Sequence, residues 1–203
     1  MKAPGIDGGV RAAGRGLALV LCATQAHAHL VETGLGPVYD GIAHFALTPE
    51  DLIPALAVAV LAGLRGRGHA RRVIFVLPLA WLLGGLLGAA SILALPGLLS
   101  WLPFLVLGGL VAADVRLPAV ATTAIAAAVG LFLGLANGAA MAQAGAGVRG
   151  VIGIVGAVFV VTTLGAASAV AWQKGWLRIA WRVAGSWIAA TGLLMLGWHI
   201  RGT

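Results

Sequence analysis

The stretch TPEDLIPALAVAVLAGLRGRGHARR, residues 48–72, decides the fold. Its left end reads as a helix start. Thr48 stands at the cap, Pro49 takes the first helical position, and Glu50 and Asp51 place negative charge at the positive end of the helix dipole. On this reading the two acids are capping groups first and ligands second. From Leu52 to Leu64 the chain carries no charge, and then Arg65, Arg67, Arg71 and Arg72 follow in quick succession. An apolar helix that runs into an arginine cluster is the pattern of a membrane span with its basic end held in the cytoplasm.

Composition extends that reading to the whole chain. Of 203 residues, 61% are hydrophobic and only 9% are charged, with a mean hydropathy of +1.03. A soluble domain carries about 25% charged residues, so this chain has too little polar surface to face water all round. The net charge of +7 is not a nucleic-acid footprint, because the basic residues sit in short gaps between apolar runs without an accompanying aromatic face. Cys22 is the single cysteine, which excludes an intramolecular disulfide and a thiolate metal cage.

The N-terminus reads as a secretory signal peptide over residues 1–28. Lys2, Arg11 and Arg15 make a positive region, Gly16 to Ala23 a short apolar core, and Ala26-His27-Ala28 a small-x-small cleavage site. Six apolar runs follow, at about 50–65, 73–94, 98–113, 117–141, 149–172 and 177–199, the third marginal in length for a ~30 Å core. In lipid each must be helical, since unpaired backbone groups there find no water. The expected fold is therefore all-α, a polytopic membrane bundle of six transmembrane helices over residues 49–203, with residues 29–48 forming an external capture segment that contains a short helix. Basic residues set the orientation: Arg65, Arg67, Arg71, Arg72, Arg116, Lys174 and Arg178 fall on one side, and Arg149 and Arg201 on the other. That bias puts the mature N-terminus outside an inner membrane, in agreement with the signal peptide.

Small residues predict how the helices meet. Gly130, Gly134 and Gly138 recur every fourth position, as do Gly84 and Gly88, and Gly153 and Gly156 give a further narrow face. Pro78 and Pro103 fall inside predicted spans, where a kink is tolerated if neighbours satisfy the freed carbonyl. Asp114 and Arg116 are expected to pair with each other at a helix end.

Metal-ligand chemistry concentrates just before the first span. Asp40 and His44 stand four apart and so share one helix face, with His29 and Glu32 able to close from the preceding chain across the turn at Gly34-Leu-Gly36-Pro37. Cleavage after Ala28 would make His29 the first residue, adding an α-amine to its imidazole as a second donor. Nitrogen and oxygen donors without thiolate suit nickel, cobalt, zinc or copper, and the residues do not choose among them. Deeper in the chain, Asn137 needs partners in hydrocarbon and Met141 follows one turn later, so both are candidates for an ion path. Ser168 and Ser186 have no histidine at matching depth, and an enzyme is not expected.

The run HLVETGLGPVYDGIAHFALTPED, residues 29–51, followed by LIPALAVAVLAGLRG, resembles the HupE/UreJ family of hydrogenase and urease accessory membrane proteins. The resemblance is strongest over residues 29–66. It implies a permease for nickel or cobalt that captures the ion at the outer face, with no permanently bound cofactor and with the lipid bilayer, the divalent metal and metalloenzyme maturation proteins as partners. It also implies that His29, Asp40 and His44 are the metal ligands. Gly41 to Ala43 separate the Asp and His that many members hold adjacent, and Asn137-Gly138 stands where members often carry His-Gly, which marks a divergent branch. The alternative function is a non-transporting scaffold for hydrogenase or urease metallocentre assembly.

Overall fold

The structure, a computed structural model, describes residues 33–90 and 100–201, and among the described residues there are seven helices. They are α1 (Pro37–Leu47), α2 (Pro49–Gly63), α3 (Arg67–Ala89), α4 (Trp101–Ala112), α5 (Ala119–Gln143), α6 (Gly147–Ala171) and α7 (Trp176–Arg201). The signal-peptide segment, His29 and Glu32 lie outside the described residues. Among the described residues α3, α5, α6 and α7 are long and apolar enough to cross a membrane. The pair α1–α2 makes a fifth such element, bent by 74° at Thr48. With 12 residues, α4 rises only ~18 Å.

The bend has a local cause. Pro49 cannot continue the hydrogen-bond ladder of α1, and the residue before a proline is pushed out of the helical region; Thr48 adopts φ −102°, ψ 98°. The first-span start expected at residues 48–51 is therefore correct, but a packed helix precedes it. The arginine-rich gap expected after that span is shorter than it looks, because Arg67, Arg71 and Arg72 already belong to α3.

At the centre stands α2. Its residues from Pro54 to Gly63 are buried except Leu56, and they are mostly alanine, valine and glycine. Small side chains let α6 come close: a Cβ on Gly63 would run into Ala169 and the Ala166 carbonyl. The glycine stripes behave as the spacing predicts. A Cβ on Gly134 would meet the Trp81 carbonyl, one on Gly138 the Gly85 carbonyl, and ones on Gly84 and Gly88 the backbone of Leu131 and Leu135, so α3 and α5 touch backbone to backbone. Gly153 likewise meets Val38 of α1, whereas Gly156 faces open space and takes no part in packing. Pro103 falls in the first turn of α4 and not in a span interior, and there a proline removes no helical hydrogen bond. The outer surface carries large apolar side chains, Leu83, Leu194 and Trp198 among them, as a lipid-facing bundle requires.

One end of the bundle is closed by ions. Asp114 accepts from Arg178 Nε at 2.8 Å and Nη2 at 2.6 Å, and it also binds Arg65. Its expected partner Arg116 is not among these contacts. Asp114 sits at φ 52° just beyond α4, where its N–H bonds to Val111 O and the Val115 N–H to Leu110 O. This is the paired closure that ends helices in a left-handed residue, a place where Asp is tolerated better than most side chains. Nearby, Gln173 donates to Gly63 O at 2.7 Å and Arg182 to Ala112 O at 2.9 Å, satisfying terminal carbonyls of α2 and α4.

Candidate functional site

The polar core of the molecule forms at the opposite end of α2, around a residue read from the sequence as a cap. Asp51 lies in the first turn of α2 and is only 4% exposed. The N-cap Thr48 contributes no side-chain bond, and the Asp51 carboxylate turns into the bundle. Its Oδ1 accepts a 2.9 Å hydrogen bond from Asn137 Nδ2 on α5. Its Oδ2 lies 3.8 Å from His44 Nε2 on α1, too far for a direct hydrogen bond. Three helices thus each send one polar side chain to one place.

Packing explains why they meet. Gly41 and Gly153 let α1 lie against α6, and Phe45, fully buried, meets Trp81 of α3 edge-on with ring centroids 5.7 Å apart. Both contacts fix the roll of α1, which turns His44 toward α2. Gly138 holds α5 against α3, and the adjacent Asn137 then faces the start of α2. The second amide hydrogen of Asn137 is taken by Leu133 O at 2.9 Å. Its Oδ1 is buried and has no hydrogen-bond partner among the described residues.

The expected site residues fall into separate groups. Asp40 accepts from the Thr33 N–H and the Thr33 hydroxyl, both at 2.7 Å, so it secures the turn that leads into α1. His44 points to Asp51 instead of sharing Asp40's partners. Asn137 meets the same carboxylate, Asp51, from α5. Met141 is fully buried, and its sulfur fills the notch left by Gly150 of α6. Among the described residues no three His, Cys, Asp or Glu side chains converge. Asp51 is the member that the sequence reading ranked as a cap first and a ligand second. The available signal was the thinness of the acidic inventory: with six Asp and Glu in the chain, each one next to a span is a candidate.

These features define a class, the multi-pass helical membrane protein with a buried polar cluster at a helix break. The HupE / UreJ family model matches residues 17–195, and the chain belongs to that family. No curated protein and no solved structure matches it.

Proposed function

We propose that the protein is a permease or facilitator for a divalent transition metal, nickel or cobalt first, and that His44, Asp51 and Asn137 form the step by which the ion enters the bundle. The family is associated with nickel or cobalt transport or with hydrogenase and urease accessory roles. The observation that carries the reading is Asp51, a carboxylate 4% exposed in an apolar bundle and without a cationic Lys or Arg partner among the described residues. A buried charge of that kind is costly, and in membrane proteins it marks an ion path.

The donor chemistry fits a borderline cation. Asp51 Oδ2 and His44 Nε2, 3.8 Å apart, leave room for an ion at ~2 Å from each, and the Asn137 Oδ1 is a third donor. Two strong donors and one weak one suit transit better than storage, since a permeating ion must also leave. The break between α1 and α2 adds the last carbonyls of α1, which have no donors within the helix; interrupted helices supply such groups to cation sites in transporters. On this reading His29, Glu32 and Asp40 belong to an outer capture step, and the α1–α2 bend lies toward the outside of an inner membrane.

Uptake of labelled nickel by cells expressing the chain tests this. Asp51→Asn and His44→Ala are expected to lower initial uptake at least tenfold at equal membrane abundance, with cobalt as a competitor. Wild-type rates in both variants, or no flux in proteoliposomes of the intact protein, would overturn transport and leave the scaffold role.

A further inference from the structure

We propose that a groove between α3 and α6, at the arginine-rich end of the bundle, holds one anionic phospholipid, with its phosphate on Arg67 and Arg71. The groove holds about 670 Å³ and is lined by Arg67, Gly68 and Arg71 at its mouth and by Ile74, Phe75 and Phe159 below. Phe75 and Phe159 lie with ring centroids 6.2 Å apart across it. Eight residues of α3 separate Arg67 from Phe75, a descent of ~12 Å. That is the step from headgroup to acyl chain in a bilayer.

Charge selects the occupant. Four acids stand among the described residues: Asp40, Glu50, Asp51 and Asp114. Asp114 is shared by Arg65 and Arg178. The other three belong to α1 and the first turn of α2, ~20 Å away along α2 from the turn that leads into α3. Arg67 and Arg71 therefore have no ion-pair partner among the described residues. The start of α3 adds to the excess. Its cap, Gly66, offers no side chain and its first turn no acid, so the positive end of the helix dipole and unpaired N–H groups lie at the same mouth. A zwitterionic headgroup gains little from this field. A small soluble phosphate would leave the apolar floor bare, and a second copy of this chain would bring the same positive charge. A lipid with net negative charge matches both the mouth and the floor.

Binding to the purified, delipidated full chain in detergent, read by native mass spectrometry, tests the assignment. Phosphatidylglycerol is expected to bind at least tenfold more tightly than phosphatidylcholine with the same chains, and glycerol phosphate at millimolar concentration should not displace it. The double variant Arg67→Gln/Arg71→Gln should lose roughly ten- to thirtyfold in phosphatidylglycerol affinity, whereas Arg149→Gln, at the opposite end of α6, should lose none. Ala167→Trp fills the groove and should also lose the lipid, which covers the case of a misfolded double variant. Equal binding of the two lipids, full retention by either groove variant, or displacement by glycerol phosphate would overturn the proposal.

Discussion

Asp114 shows how one residue can join backbone geometry to charge. It accepts a left-handed conformation that most side chains avoid, and the same position lets its carboxylate take two guanidinium groups. Burial pushes its pKa up, but the hydrogen bonds from Arg178 and Arg65 outweigh that and hold it below the usual carboxylate range. A depressed folded pKa contributes stability above the unfolded value of about 3.9, and that contribution is lost as pH falls through the folded value. Asp114→Asn keeps the left-handed tolerance and removes the charge. We expect it to cost about 2 kcal/mol, between an exposed and a fully buried pair, measured by thermal unfolding in detergent at neutral pH. The gap from wild type should narrow on acidification below about pH 4; a gap independent of pH would remove the charge from the explanation.

Among the elements, the α3–α5 contact depends most directly on residue size. At Gly134 any side chain meets the Trp81 carbonyl and the Gly85 amide, both backbone, so nothing flexible can yield. Gly134→Val is expected to cost ~3 kcal/mol or more through forced separation of the helices. Gly156→Ala, which projects into open space, should be neutral or slightly stabilising because it removes a helix-interior glycine. Equal losses in the two variants, by the same unfolding assay, would show that helix propensity and not contact matters. This packing was legible in the sequence, because a small residue every fourth position leaves little else for that face to do. The destination of Asp51 was not. A first-turn acid behind Thr-Pro has the same local signature whether it faces solvent or core, and only the 74° bend at Thr48 turns it inward. The partners of Asp114 were hidden for a similar reason: Arg65 and Arg178 are 49 and 64 residues away, and no local spacing encodes that meeting.

For the molecule as a whole, the two polar ends differ in kind. One holds a buried carboxylate with an imidazole and an amide; the other holds arginines tied to Asp114 and capped carbonyls. The basic end is expected in the cytoplasm. In a Cys22→Ser background, an impermeant maleimide should label Tyr39→Cys from outside intact spheroplasts and Lys174→Cys only after permeabilisation. The reverse pattern would invert the molecule and place the His44 cluster inside. The shortness of α2 then bears on energetics. From Asp51 to Arg65 its axis rises only ~21 Å, against ~30 Å of hydrocarbon. On the proposed reading, an ion that passes from Asp51 to the arginine end therefore crosses an apolar stretch only about two-thirds as thick as the hydrocarbon that lipid alone would interpose.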